Sequence, residues 1–392
     1  MRVFALGGTG RVGRVAAKVL AQSTEVSEVA IAGRDMTIAK RVSADIGPKA
    51  APVQVDATDE PQLAKIVGAY DLIVNTAGPD FRVALPAIRA AIAAGTHYCD
   101  ISADGPSTEK ALSLDREAKE AGVTALTGIG HMPGTSNLLM QHASNQLEAA
   151  EALRFCVWWA LSRETYKLMG DPEEMRTSGR VNASWQTILA WVAGHVRTYQ
   201  GGRWIDVDPF EHATEVSLPT GAAVTAYPVA STEPVTLPRH LPGVRSVEVL
   251  LSLDPPQLNE LLREQAQRVT AGEAEAAEAT MTFLETIVSD PSRWLGGARK
   301  IPPGFGILAS AGGWKGGRRV RYSCWPASAW ESTVGPLATA ALRILRGEIR
   351  ERGVLPPEAI LDPIPFLQEA SIYGREPPRA GQLLHESLEP LE

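Results

Sequence analysis

Three glycines near the start of the chain have the spacing of a turn that binds pyrophosphate. Gly8, Gly10 and Gly13 follow the apolar residues 2–6 and precede a helical pattern of apolar residues from Val12 onward. In a G-x-G-x-x-G turn the first glycine permits a tight bend, the second lets a pyrophosphate approach the backbone, and the third lets the helix pack on the strand. A turn that serves only packing is the alternative. We predict a dinucleotide-binding turn formed by Gly7, Gly8, Thr9, Gly10, Arg11, Val12 and Gly13.

Arg34 follows the second apolar strand, about twenty residues after this turn. An Asp or Glu at this position would bind the ribose 2′-hydroxyl of NAD. A guanidinium instead suits a 2′-phosphate, because it can form two charge-assisted hydrogen bonds to the phosphate. We therefore expect NADP as the cofactor, and the neighbouring Asp35 leaves NAD as the alternative.

Two further segments are predicted to lie along the cofactor. Asp56 ends the third strand and is expected beside the adenine, with a helix N-cap as its alternative role. The turn after the fourth strand is expected under the ribose and nicotinamide, with a plain turn as the alternative. Its residues are Asn75, Thr76, Ala77, Gly78 and Pro79.

The elements that must hold these residues alternate between strand and helix over residues 1–134. This alternation predicts an α/β fold: an N-terminal Rossmann domain with a doubly wound parallel sheet, whose ligand lies beyond the carboxyl ends of the strands. Residues 135–331 show half-exposed strand patterns and amphipathic helices, which predict an α+β domain. We expect a C-terminal helix region, 332–375, to return to the first domain, and 376–392 to be a loose tail.

Composition and simple sequence features argue against nucleic acid, membrane spans, a signal peptide and a structural metal. The net charge of −7 argues against nucleic acid, because phosphate binding requires clustered Lys and Arg. No apolar run is long enough to span a membrane, and the first strand begins so early that no signal peptide is expected. The three cysteines lack metal-binding spacing and fit a reducing cytoplasm, so we expect a cytoplasmic protein without a structural metal.

Several motifs of the chain resemble the saccharopine dehydrogenase-like family, densely in residues 1–137 and in the C-terminal helix region. They are Gly7-Gly8-Thr9-Gly10, Ala32-Gly33-Arg34-Asp35, Val74-Asn75-Thr76-Ala77-Gly78-Pro79, Gly95-Thr96-His97-Tyr98-Cys99-Asp100, Gly130-His131-Met132-Pro133-Gly134 and Gly353-Val354-Leu355-Pro356-Pro357-Glu358. The resemblance implies hydride transfer to or from a nicotinamide cofactor at a C–N bond of an amino-acid or polyamine-like small molecule. It also implies that the second domain, residues 135–331, binds the substrate and forms the contact of a homodimer. The middle of the chain, which holds most of the nine tryptophans, does not match the substrate pattern of any member.

Reduction of an imine also requires a proton at nitrogen, so an ionisable residue near the nicotinamide is expected. Asp100 and His131 are the predicted catalytic residues; a turn cap for Asp100 and a solvated turn for His131 are the alternatives. Tyr98 is a predicted substrate contact, and Asn137 is predicted to contact the substrate, with the cofactor as the alternative. Glu233 resembles an acidic residue on a family strand that faces the substrate amine, with a solvated strand-end carboxylate as the alternative.

Two other functions compete with this interpretation. Some relatives in the wider family are enoyl reductases that act on carbon–carbon double bonds, and a cofactor-sensing protein without catalysis is the third possibility. Short-chain dehydrogenase chemistry is disfavoured, because none of the seven tyrosines has a Lys four residues later; Tyr98, for example, is followed by Ser102.

Overall fold

The computed structural model describes residues 1–164, 171–296, 301–330, 332–374, 376, 378 and 382–391. The strands are β1 (Arg2–Leu6), β2 (Glu28–Gly33), β3 (Ala50–Gln54), β4 (Leu72–Asn75), β5 (His97–Asp100), β6 (Thr124–Leu126), β7 (Ala149–Ala160), β8 (Val196–Gln200), β9 (Arg203–Val207), β10 (Thr214–Ser217), β11 (Ala223–Pro228), β12 (Ser246–Asp254), β13 (Gly304–Lys315), β14 (Arg318–Pro326), β15 (Gly353–Leu355) and β16 (Leu384–Pro390). The helices are α1 (Arg11–Gln22), α2 (Met36–Ile46), α3 (Glu60–Val67), α4 (Asp80–Ala94), α5 (Gly105–Leu112), α6 (Asp115–Glu120), α7 (Thr135–Asn145), α8 (Pro172–Ser178), α9 (Ala183–Trp191), α10 (Glu233–His240), α11 (Gln257–Thr270), α12 (Ala276–Ser289), α13 (Pro291–Leu295), α14 (Val334–Leu345) and α15 (Pro363–Ser371), with a short 3-10 helix at Pro357–Ala359.

The first structural unit, residues 1–142 and 326–385, contains a seven-stranded parallel sheet. Its strand order is β15-β6-β5-β4-β1-β2-β3. The chain adds β2 and β3 on one side of β1 and then returns to add β4, β5 and β6 on the other. The point between β1 and β4 is therefore the topological switch point, where open α/β sheets bind their ligands.

Burial explains why the central strands form. β4 is buried at every residue, and β1 from Val3 to Leu6, as expected for strands covered by helices on both faces. Helix α1 turns Ala16, Ala17 and Leu20 toward this core. The doubly wound fold predicted from the sequence is confirmed.

The second unit, residues 143–325 and 386–392, contains a nine-stranded mixed sheet. Most of it follows the order β10-β11-β12-β7-β13-β14-β16, while β8 pairs with β12 and with β9. The long strands β7 and β12 run parallel, whereas β13 pairs antiparallel with both β7 and β14. An aromatic cluster belongs to this unit: the Trp185 ring lies 5.2 Å from Trp159 and 5.5 Å from Phe283.

Three features differ from the sequence predictions. The segment after α14 adds a seventh strand, β15, which pairs in parallel with β6. The sequence over residues 107–121 predicts one helix, whereas the structure has two, α5 and α6. The loose tail predicted over 376–392 is wrong for residues 384–390, which form β16 in the second sheet, while residues 377, 379–381 and 392 lie outside the described part of the chain. Among the described residues, no helix is both long and apolar enough to cross a bilayer.

Candidate cofactor site

The glycine turn is packed against the loop that follows β4. Gly7 has a φ of +78°, and a Cβ atom on it would lie 2.4 Å from the Ala77 nitrogen. A Cβ atom on Gly13 would lie 2.3 Å from the Gly7 oxygen and 2.4 Å from Thr76 Oγ1. A side chain at Gly7 or Gly13 would therefore require backbone atoms of the two loops to move. The two loops therefore meet at the switch point of the sheet.

The start of α1 is open to a ligand. Gly10 is the N-cap of this helix; it is exposed, and a Cβ atom on it would meet only the Gly7 oxygen, at 3.2 Å. No side chain of the described residues caps the helix, and its first turn carries no acidic residue. An uncapped helix start with its positive dipole end suits a pyrophosphate. Gly8 and Thr9 complete the turn, and Thr9 packs on Gly33, where a Cβ atom would lie 2.6 Å from Thr9 Oγ1.

Arg34 and Asp56 lie at the carboxyl ends of neighbouring strands. Arg34 is exposed directly after β2, and its charge contributes to lowering the pKa of the Asp56 carboxyl. The larger causes of that lowered pKa are hydrogen bonds to Asp56 Oδ1 from Thr58, whose nitrogen lies at 2.9 Å and Oγ1 at 2.7 Å. Asp59, not Asp56, caps α3, so the N-cap alternative for Asp56 is wrong.

Asp35 has a structural role. Its Oδ1 accepts hydrogen bonds from the backbone nitrogens of Thr37 at 2.9 Å and Ile38 at 3.1 Å, and it is the N-cap of α2. An N-cap carboxylate aimed at its own helix is not aimed at a ribose. This geometry leaves Arg34 as the residue at the end of β2 that can meet a 2′-phosphate.

The loop after β4 is fixed by hydrogen bonds to β1 and β5. The Thr76 nitrogen donates to the Leu6 oxygen at 2.8 Å, which extends the pairing of β1 with β4 by one residue. Asn75 Oδ1 accepts from the Ala77 nitrogen at 2.9 Å, while Asn75 Nδ2 donates to Tyr98 Oη at 2.9 Å. These bonds fix the backbone of residues 75–77 beside the glycine turn, and Gly78 and Pro79 lead directly into α4.

Asp100 is the centre of a buried hydrogen-bond network. Its Oδ1 accepts from the backbone nitrogens of Ser102 at 3.1 Å and Gly128 at 2.7 Å, and from Thr127 Oγ1 at 3.1 Å. Its Oδ2 accepts from Tyr98 Oη at 2.7 Å. Burial raises the pKa of Asp100, and the four hydrogen bonds oppose that rise. The geometry favours the structural alternative over the predicted catalytic role, because these donors occupy both carboxylate oxygens.

The predicted substrate-binding role of Tyr98 does not agree with the structure. Tyr98 is fully buried within the sheet, and burial raises the pKa of its phenol well above the usual value. Its hydroxyl joins Asn75 of β4 to Asp100 of β5. A fully buried ring has no surface that a substrate could contact.

His131 lies in the turn between β6 and α7. The backbone closes this turn through a hydrogen bond from the Gly130 nitrogen to the Pro133 oxygen, 2.9 Å, and the His131 oxygen accepts from the Ser136 nitrogen at 3.2 Å. Burial lowers the pKa of His131 to about 4. The sequence argument assumed titration near neutral pH, whereas the structure indicates a neutral imidazole there.

Asn137 is buried and tied to the C-terminal segment of the same unit. Its Oδ1 accepts from the Gly134 nitrogen at 3.0 Å, and its Nδ2 donates to Glu358 Oε2 at 2.9 Å. The Gln141 side chain donates to the Glu358 backbone oxygen at 3.0 Å. These bonds attach α7 to the 3-10 helix at Pro357–Ala359, which favours a structural role for Asn137 over the predicted contact with substrate.

Glu233 belongs to the second unit and begins α10, so its predicted place on a strand is wrong. The residue is fully buried, and its Oε2 accepts a hydrogen bond from the Ser231 hydroxyl. A carboxylate in the first turn of a helix is stabilised by the helix dipole. The alternative of a solvated strand-end carboxylate is equally wrong.

The sequence analysis missed Asp80, the first residue of α4. Its Oδ2 accepts a hydrogen bond of 2.8 Å from the backbone nitrogen of Ala103, in the loop after β5. Burial, with smaller contributions from the charges of Asp100 and Asp104, raises the pKa of Asp80 to about 7. The available signal was an Asp directly after the Gly78-Pro79 turn. Nothing in the sequence, however, indicates that this Asp lies near the carboxylates of Asp100 and Asp104.

The parallel sheet, the glycine turn at its switch point and the uncapped start of α1 define a dinucleotide-binding domain. The family model for the saccharopine dehydrogenase NADP binding domain matches residues 3–126. A carboxynorspermidine synthase of Vibrio cholerae is 23% identical, with 94% of each chain covered. Residues 3–126 therefore form an NADP-binding domain of the saccharopine dehydrogenase type.

Two other proteins are similar to very different shares of this chain. A trans-acting enoyl reductase of Mycobacterium leprae is 31% identical over 121 residues, which are 30% of this chain and 28% of that protein. The chain thus matches less than a third of the length of this relative. A saccharopine dehydrogenase (L-Glu forming) structure from Saccharomyces cerevisiae superposes with a TM-score of 0.64 at 17% identity and covers 99% of both chains, which shows a shared fold.

Proposed function

We propose that this protein is an NADP-dependent oxidoreductase that transfers hydride at a C–N bond of an amino-acid or polyamine-like small molecule. The observation that carries the proposal is the extent of similarity to the carboxynorspermidine synthase, which includes 94% of each chain and therefore residues of both units. The similarity to the enoyl reductase covers only 30% of this chain. Similarity confined to that length supports a shared cofactor and says nothing of a shared substrate.

The residues of the first unit supply the cofactor part of this reaction. The start of α1 and the backbone from Gly7 to Gly13 would bind the pyrophosphate, and Arg34 would bind the 2′-phosphate. The loop 75–79 would support the nicotinamide end, where the bound cofactor supplies or accepts the hydride. Asp100 would position this loop through Tyr98 and Asn75 instead of moving the proton.

The test is a substrate panel with the full chain. Purified protein with NADPH is given amines paired with keto acids or aldehydes, and separately enoyl thioesters, while NADPH absorbance is followed and products are identified by mass. Consumption of NADPH only with an amine–carbonyl pair supports the proposal. Consumption only with enoyl thioesters supports the enoyl reductase alternative. Cofactor binding without turnover of either set would identify a cofactor-sensing protein.

A role for His131 in proton transfer is tested separately. This role requires His131→Ala to lose turnover of the substrate found in the panel, while the dissociation constant of NADPH stays unchanged. Unchanged turnover would exclude that role. The homodimer and the cytoplasmic location stay predictions, and sedimentation of the purified protein tests the dimer.

A further inference from the structure

Asp80 lies where the loop after β4 enters α4. This loop contacts the glycine turn, because a Cβ atom on Gly7 would lie 2.4 Å from the Ala77 nitrogen. Asp80 follows three residues later and holds the next loop of the sheet edge through its 2.8 Å hydrogen bond from the Ala103 nitrogen. Asp80 therefore connects the loops that follow β4 and β5.

The strand order indicates which end of the cofactor reaches Asp80. Arg34 directly follows β2, and Asp56 lies just after β3. Both strands are on one side of β1, which is the side expected to bind the adenosine end of the cofactor. The pyrophosphate belongs at the start of α1, directly after β1. The nicotinamide end would then lie on the other side of β1, the side of β4 and β5, which also carries Asp80.

The charges that act on Asp80 are negative. They come from Asp100 at the end of β5 and from Asp104, the N-cap of α5, while the Ala103 N–H is the group that favours the carboxylate. Burial and these two carboxylates raise the pKa of Asp80 to about 7. Asp80 thus changes its charge in the neutral range.

We propose that Asp80 is a charge-sensing residue for the redox state of the cofactor. As a carboxylate it favours NADP⁺, whose nicotinamide ring is positively charged, and as a neutral acid it favours NADPH, whose ring is uncharged. Binding of NADP⁺ therefore releases a proton from Asp80, whereas binding of NADPH, whose ring is uncharged, does not. The inference rests on the redox function proposed above and on its cofactor, but it does not depend on the substrate.

The experiment measures the dissociation constants of NADP⁺ and NADPH by calorimetry from about pH 5.5 to about pH 8.5 at fixed salt. The ratio of the NADPH constant to the NADP⁺ constant is compared across pH, because the 2′-phosphate titrates identically in both cofactors and cancels. In the wild type this ratio should rise by about tenfold as the pH increases. Asp80→Asn should keep the ratio constant, since its carboxamide oxygen can still accept from the Ala103 N–H.

Asp59→Asn is the matched control, because Asp59 caps α3 by accepting from the Gln62 nitrogen at 3.1 Å. Its ratio should follow the wild type. A wild-type ratio that does not change with pH, or an Asp80→Asn ratio that changes as the wild type does, would overturn the inference and leave the proposed function standing. Failure to bind either cofactor would overturn both. If Asp80→Asn binds neither cofactor while the wild type binds both, the pH dependence of the wild-type ratio alone decides whether the inference holds.

Discussion

A Cβ atom added to Gly13 would lie 2.4 Å from Thr76 Oγ1, so these two residues set the distance between α1 and the loop after β4. The same atom would lie 2.3 Å from the Gly7 oxygen. Packing within the protein therefore requires glycine at position 13, independently of any contact with the cofactor.

Gly13→Ala is expected to lower the free energy of unfolding by about 1–3 kcal/mol, because backbone atoms must move to admit the methyl group. Gly10→Ala is the control: its Cβ atom meets only one backbone oxygen, at 3.2 Å, and its φ of −81° suits alanine. Its stability should change by less than about 1 kcal/mol, while NADPH binding weakens. Urea denaturation and calorimetry measure both effects. Equal losses of stability would contradict the packing argument.

Arg34→Ala should weaken NADPH binding by roughly ten- to a hundredfold, the effect of losing hydrogen bonds to a charged group. NADH lacks the 2′-phosphate, so its dissociation constant should change little. Arg41→Ala, which removes another exposed arginine from α2, is the control and should leave both constants near the wild-type values. Equal weakening of NADPH and NADH by Arg34→Ala would remove the 2′-phosphate argument.

Asp100→Ala should lower the free energy of unfolding by about 3–5 kcal/mol, because four donors lose their acceptor in a buried site. Tyr98→Phe removes only the hydroxyl of one donor and should cost about 1 kcal/mol. Urea denaturation at neutral pH measures both variants. If Asp100→Ala is as stable as the wild type, the residue is not structural and the predicted catalytic role returns.

His131 should make the protein sensitive to acid. Its folded pKa of about 4 lies below the ordinary value of about 6.5, so the unfolded chain binds the extra proton between these values. The free energy of unfolding therefore falls as the pH decreases from about 6.5 to about 4. His131→Gln should reduce this loss by roughly 1–2 kcal/mol at about pH 5. His142→Gln on α7 is the control, and identical pH profiles for wild type and His131→Gln would contradict the prediction.

The first six strands could be predicted from the sequence because each is a short apolar run that ends at glycine or a polar residue. Strand β15 could not, since its residues, Gly353–Leu355, begin with glycine and are followed by two prolines, so they do not form such a run. Glu233 was placed on a strand by resemblance, although the segment from Glu233 to His240 forms a helix with Pro234 in its first turn. A proline at that position is common in helices and could have corrected the prediction.

The site was predicted less completely than the fold. Gly10 and Arg34 lie beyond the carboxyl ends of β1 and β2 as expected, because strand ends and turns are local features of the sequence. The network of Asp100 joins Tyr98, Ser102, Thr127 and Gly128, and the environment of Asp80 depends on a loop more than twenty residues away. Such long-range contacts decide whether a carboxyl group is fixed or titratable, and no single-sequence pattern encodes them.

Strand β15 has a consequence for synthesis of the chain on the ribosome. It pairs with β6, and residues 326–385 belong to the same unit as residues 1–142. During translation the edge of β6 therefore stays unpaired while more than two hundred intervening residues are made. Until then the nascent cofactor domain presents an open parallel edge to other chains, and such an edge is a template for aggregation.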